Sequence, residues 1–319
     1  MVLSVTFAIA VLVSGIVLLA LSSDKAVEHS VQVAYAMGFS SLMIGLILVS
    51  LGTDLPEIAN SIIACWSGHG DIDVGDSFGS ILTQITLVLG LIALFGRSFK
   101  VSRKEILILG AFEVLALFLS FAVALTGFSR EKAFLLIASW PVFIFVIRRL
   151  TAADISRKRQ VVKSQAGRHY AFHLVMASLG FVGIAIGALA VVQSVILLSS
   201  ELGVPEFLIS FFAVGIGTSL PELVVDFTAV RKRQYQLALG DIIGSCIVDA
   251  TVSISIGQFL FPTPVFVQAP GKSISLVLFA ILASAIVISV VAARRKIDRR
   301  SGVFFIVIYS LSYAIVSLV

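Results

Sequence analysis

Two blocks of this chain read alike: Gly52-Thr53-Asp54-Leu55-Pro56-Glu57 and Gly217-Thr218-Ser219-Leu220-Pro221-Glu222. Each lies inside an apolar run, and each is followed at the same spacing by Gly-Asp-x-x-Gly-Ser. Adding 165 carries every position from Gly52 to Gln84 onto a partner without a gap: Gly75 onto Gly240, Asp76 onto Asp241, Gly79 onto Gly244, Ser80 onto Ser245. A chain built twice in one register must fold into two related halves. Each half places a glutamate one residue after a proline in a helix long enough to span a bilayer. An ionisable side chain there is expensive, and its default reading is functional.

The solvent follows from composition. Hydrophobic residues make up 59% of the chain and charged residues only 13%, against about 25% charged in soluble domains; the mean hydropathy is +1.09. The chain belongs in a membrane as an all-α integral protein. Apolar runs predict about ten spans, at roughly 2 to 22, 34 to 66, 75 to 96, 104 to 126, 133 to 150, 170 to 200, 207 to 230, 238 to 261, 272 to 293 and 302 to 319. The first span is read as retained rather than as a signal peptide, since no Lys or Arg precedes it and no small-residue cleavage site follows it.

Charge then orients the spans. Of the 23 Lys and Arg residues, all but Arg130, Lys132 and Lys272 fall on the face that receives the loops after spans 1, 3, 5, 7 and 9. The positive-inside rule makes that face cytoplasmic and puts both termini outside, in a plasma or inner membrane. The two copies of the motif then run in opposite senses. Five spans in 1–150 and five in 170–319, joined by a basic cytoplasmic linker at 151–169, form an inverted repeat of the kind found in many secondary transporters. The basic clusters are topology determinants first and contacts with membrane lipid second, and they call for no nucleic acid.

Asp54, Glu57, Glu222, Asp226 and Asp249 fall within expected spans, and no Lys or Arg lies deep in any of them. Such carboxylates must hold protons or bind cations. Pro56 and Pro221 each remove a backbone donor, which exposes carbonyls in the preceding turn as further oxygen ligands. Oxygen-only coordination suits calcium or a similar hard divalent cation, whereas transition metals prefer His or Cys. The candidate metal shell is Thr53, Asp54, Glu57, Ser80 and Gln84 from one half, with Thr218, Ser219, Glu222, Ser245 and Asp249 from the other. Ser80 with Gln84 and Ser245 with Asp249 are i, i+4 pairs on single helix faces. Gly75 with Gly79, and Gly240 with Gly244, permit close helix approach.

At these residues the chain resembles the cation/calcium antiporter superfamily, whose sodium/calcium exchangers carry a Gly-Thr-Ser-Leu-Pro-Glu type motif followed by Gly-Asn-x-x-Gly-Ser-Asn in both halves. The resemblance implies an antiporter, not an enzyme, that exchanges calcium for sodium by alternating access to one carboxylate-lined site. Glu57 and Glu222 match the family's two central glutamates, Ser80 and Ser245 its hydroxyl ligands, and Gln84 and Asp249 the polar position four residues later. Asp54 stands where the family has a small hydroxyl residue, Gln84 replaces Asn, and Asp76 and Asp241 replace the Asn after the glycine. Four ionised carboxylates around one calcium leave about two negative charges uncompensated. That excess calls for a bound proton or a co-bound monovalent cation, so a calcium/proton or potassium-dependent exchanger is the alternative. No ATP-binding motif is present, no cofactor is expected, and an ion gradient supplies the energy.

The other polar residues carry simpler readings. Glu113, outside the repeats, is expected to make one interhelical hydrogen bond. Asp76 and Asp241 are expected to cap helix starts, Asp226 to line the cytoplasmic access path, and His69, Asp71 and Asp73 to occupy a solvated loop. Cys65 and Cys246 are read as small buried residues, and His29, His69, His169 and His173 have no metal spacing. An intramembrane aspartyl protease needs a Gly-x-Gly-Asp that neither Asp73-Val74-Gly75-Asp76 nor Ala238-Leu239-Gly240-Asp241 supplies. A cation channel gains its acidic ring from subunit symmetry, whereas this chain makes a paired shell by itself.

Overall fold

A computed structural model describes residues 2–34, 41–96, 98–155 and 170–318. The side chains of Lys25, His29, His169 and His173, and residues 156–169 of the expected linker, lie outside that description. The helical segments are α1 (Val2–Ala34), α2 (41–66), α3 (Gly70–Phe95), α4 (Arg103–Leu125), α5 (Arg130–Ile155), α6 (Tyr170–Leu202), α7 (Glu206–Arg231), α8 (Tyr235–Leu260), α9 (Pro270–Arg294) and α10 (Arg299–Leu318). Among the described residues seven of these are long and apolar enough to cross a membrane: α3, α4, α5 and α7 to α10. Helix α2 is an eighth if its two arms, Gly45–Thr53 and Leu55–Trp66, are one span bent by 49°. Helices α1 and α6 carry shorter apolar stretches, Ser4–Leu18 and Ile186–Leu202. Helix α1 continues to Ala34, well past the boundary expected near residue 22.

Burial separates a centre from a rim. The apolar windows of α3 and α8 are 78% and 94% buried, while that of α5 is 28% buried. The two central helices contain the second motif of each repeat, so the duplicated residues occupy the middle of the molecule. Large apolar side chains such as Phe95, Leu135 and Phe145 face outward from the rim, as a bilayer solvent allows. Helix α1 lies along α6, with Ala8 and Leu12 packed among Ala188, Val191 and Val192.

The central contacts come in exchanged pairs. Helix α3 packs on α7, and α8 packs on α2. A Cβ placed on Gly75 would lie 2.7 Å from the Phe207 carbonyl oxygen, and one on Gly240 would lie 2.5 Å from that of Leu42. Leu42 and Phe207 are themselves 165 residues apart, so each glycine abuts the counterpart of the other's neighbour. The glycines are needed because backbone meets backbone there, with no side chain able to yield.

At one end the loops are tied together. His69 Nδ1 lies 2.9 Å from the Glu206 carboxylate, and Asp71 accepts from the backbone N–H groups of Val267 and Gln268. Asp73 accepts from Gln258 at 3.2 Å and from the Cys65 thiol. Asp71 and Asp73 are buried, which corrects the solvated-loop expectation: Gly70 already begins α3, and both acids lie in its first turn, where carboxylates suit the helix dipole. At the other end Phe99–Lys100 (β1) pairs antiparallel with Lys296–Ile297 (β2). Beside it Asp298 bridges Arg294 and Lys296, each at 2.9 Å. The Lys296 ammonium first, then Ser301 and Arg294, hold the Asp298 carboxyl well below the usual carboxylate range.

Candidate functional site

Each half builds its share of the site from two irregular helices. The chain turns at Asp54 (φ −76°, ψ 4°) and at Ser219 (φ −79°, ψ 6°), immediately before the Leu-Pro-Glu of each motif. Proline at the second helical position fits there because its missing N–H falls among donors that a helix start leaves unpaired. The same helices contain π-helical turns at 44–49, 83–88, 210–214 and 249–253. The first and third of these overlap under the 165-residue offset, as do the second and fourth. Wide turns of this kind recur at functional sites because they disturb the regular ladder of backbone bonds. No composition signal marked them in the sequence.

All ten residues of the expected shell are buried, none more than 1% exposed. Carboxylate oxygens of Asp54, Glu57 and Glu222 lie within 4.8 Å of one another. The hydroxyls link the halves: Thr53 meets Ser245 at 3.4 Å, and their counterparts Thr218 and Ser80 meet at 3.1 Å. Ser80 Oγ also donates to Glu57 Oε1 at 3.4 Å, and Ser219 Oγ to the Gly215 carbonyl at 2.7 Å. Gln84 Nε2 donates to Asp249 Oδ2 at 3.2 Å. Gln84 and Asp249 are counterparts of each other, so this bond sits where the two copies meet.

The donor set is incomplete. Both oxygens of Asp54 and of Glu222, Oε2 of Glu57 and Oδ1 of Asp249 are buried with no hydrogen-bond partner. No Lys or Arg is buried among the described residues. Buried acceptors without donors are strongly unfavourable. An oxygen-rich site in that condition fits a hard cation.

Several residues hold places that the sequence did not assign them. Asp76 and Asp241 do not cap helix starts: α3 begins at Gly70 and α8 at Tyr235, which places both acids inside their helices. Asp76 is bound by the Asn60 amide at 2.6 Å and the Thr218 hydroxyl at 3.0 Å. Asp226 is fully buried and faces Asp241, so it lines no open path in this conformation. The Cys246 thiol approaches Gln84 Oε1 at 3.4 Å and the backbone carbonyl of its own counterpart position, Ile81, at 4.0 Å. Glu113 is buried, and Ser284 of α9 faces its carboxyl across the helix pair, the single interhelical partner expected of it. The signal that could have placed Asp76 is the offset itself, since it maps one buried acid onto another.

A helical membrane protein whose paired, broken helices surround unpartnered buried carboxylates is an ion-transporting carrier rather than an enzyme. The sodium/calcium exchanger protein family is matched over residues 7–148 and 172–318, and the chain belongs to that family. It is similar to the sodium/calcium exchanger MaX1 of Methanosarcina acetivorans, 26% identical over 80% of this chain and 83% of that protein. An uncharacterised membrane protein of Methanocaldococcus jannaschii is 28% identical over 94% of this chain and 95% of its own length. The solved structure of the sodium-calcium exchanger NCX_Mj soaked with sodium and calcium superimposes with a TM-score of 0.64 at 26% identity, covering 97% of this chain and 98% of that one.

Proposed function

We propose that this chain exchanges calcium for sodium across a membrane through a shell made of Thr53, Asp54, Glu57, Ser80, Gln84, Thr218, Ser219, Glu222, Ser245 and Asp249. Glu57 and Glu222 are the shared ligands that calcium and sodium occupy in turn, and Asp54 with Asp249 sets the charge the site must balance. The observation that carries this reading is the convergence of the Asp54, Glu57 and Glu222 carboxylates within 4.8 Å, with most of their oxygens lacking a donor. A protein burying that much negative charge gains from a divalent cation or from several monovalent ones, which is the basis of exchange.

The architecture we assign is ten spans in two inverted five-helix repeats, 1–150 and 170–319, joined by a cytoplasmic linker at 151–169, with both termini outside the plasma or inner membrane. The exchanged contacts of Gly75 with Phe207 and Gly240 with Leu42 support a two-fold relation between repeats. The bias of Lys and Arg supports the orientation. Access alternates as α1 and α6 move against the shell, a reading supported by Gly217 beside Thr218, where a Cβ would lie 2.6 Å from the Ile16 side chain of α1.

Calcium titration of the purified protein tests the shell. We expect one saturable calcium site that sodium displaces, lost in Glu222→Gln with the protein still folded. Calcium binding that sodium leaves untouched, or that survives the substitution unchanged, would overturn the assignment.

A further inference from the structure

The ten-residue shell does not use all of the buried acid. Asp76, Asp226 and Asp241 are equally sequestered, none more than 1% exposed. Asp76 is satisfied: Asn60 donates to Oδ2 at 2.6 Å, Thr218 to Oδ1 at 3.0 Å, and Ser80 to Oδ1 at 3.4 Å. Its counterpart Asp241 stands in the matching place on α8 without those donors. Val225 occupies the position that corresponds to Asn60, and the acid one residue further on, Asp226, faces Asp241 from α7. All four oxygens of this pair are buried, and apart from each other they have no hydrogen-bond partner among the described residues.

Two ionised carboxylates are acceptors only and cannot satisfy each other. The charged side chains that face them offer no relief. Glu222 on α7 and Asp54 on α2 are acids that act on the pair, and Glu113 lies on α4, which also packs against α8. Arg231, at the end of α7, is exposed, with its guanidinium over the Phe227 ring. Among the described residues no positive side chain faces the pair, which therefore lacks one positive charge.

We propose that Asp226 and Asp241 form a second cation site, separate from the ten-residue shell, that takes one monovalent cation, a proton or a sodium ion, and carries it in each calcium turnover. Both ions meet the same chemistry: a single positive charge bridging two carboxylate oxygens in a site too poor in ligands for calcium, which takes six to eight oxygens. The inference rests on the exchanger reading above. It adds that the second repeat holds an ion where the first holds the Asn60 amide, so the two halves are chemically unequal.

The test uses the full chain in liposomes and measures the number of monovalent cations moved per calcium, with entrapped pH dye and labelled sodium read separately. Asp226→Asn gives Asp241 an amide like the one Asp76 receives from Asn60. Asp226→Ser installs the residue found at the corresponding position, Ser61. We expect both variants to retain sodium-driven calcium uptake with one fewer monovalent cation per calcium. A lost pH signal identifies a proton, and a lost sodium count identifies sodium. Calcium uptake with an unchanged ratio on both readouts overturns the inference, and so does complete loss of uptake in monodisperse, folded variants, which would place the pair inside the shell. If the wild-type protein moves no calcium against sodium, it is the exchanger reading that fails.

Discussion

Asp54→Ser is the most informative single change in the shell. Serine is what the second repeat carries at the equivalent Ser219, and the backbone there has nearly the same geometry, so the turn should accept it without rearrangement. The substitution removes one of three carboxylates that approach within 4.8 Å. Two unit charges that far apart at an effective dielectric constant near 20 interact by about 3.5 kcal/mol. A calcium ion among them gains more from each carboxylate, offset by the proton or monovalent cation it must displace. If the net loss on removing Asp54 is comparable to one such pair energy, calcium affinity falls by up to about 300-fold, at about 1.4 kcal/mol per tenfold. Isothermal titration in buffers of different ionisation enthalpy reads both the affinity and the protons released. The expected result is calcium binding weakened by about 10- to 300-fold, with a smaller displacement of protons or sodium. Wild-type affinity and an unchanged ion profile would make Asp54 structural and refute the charge argument.

Other substitutions probe different parts of the molecule. Glu57→Gln and Glu222→Gln should each abolish exchange while leaving a folded, monodisperse protein, since each removes a buried negative charge that no basic side chain balances among the described residues; wild-type flux in either, measured in vesicles, would remove that residue from the shell. Gly240→Ala puts a Cβ against the Leu42 carbonyl and should cost about 1–3 kcal/mol, seen as a lowered Tm; an unchanged Tm would mean that α2 and α8 can separate freely. Asp298 is held in its charged form, so the stability it adds is present above the ordinary carboxylate pKa of about 3.9 and is lost as pH falls through its lower folded value. The effect is small, about 0–1 kcal/mol, because Lys296 is half exposed. Asp298→Asn should remove it, flattening a Tm profile carried from neutral pH down to about pH 2.

What the sequence disclosed, it disclosed through the duplication. The ungapped offset paired Glu57 with Glu222 and Gln84 with Asp249, and the structure places Gln84 and Asp249 in mutual contact. Apolar run length located the helices because a bilayer-spanning helix has to be long and continuous. Helix starts were harder to find. Asp71 and Asp73 read as loop because polar residues end an apolar run, yet in a first turn they stabilise the helix and bond its neighbours. The same error moved Asp76 and Asp241 from helix interior to helix cap. The π-helical turns escaped because they change hydrogen-bond pattern without changing composition. The contact of Asp226 with Asp241 escaped because it departs from the repeat: the first half uses an amide where the second uses an acid.

The central claim is that an ion gradient drives calcium through this shell. The direct measurement is labelled calcium uptake into vesicles containing the purified protein, with outward sodium and outward proton gradients imposed separately. Uptake that requires the sodium gradient, saturates with calcium and disappears in Glu222→Gln is the predicted result. Calcium entry with no counter-ion requirement, or none under a sodium gradient, would contradict it.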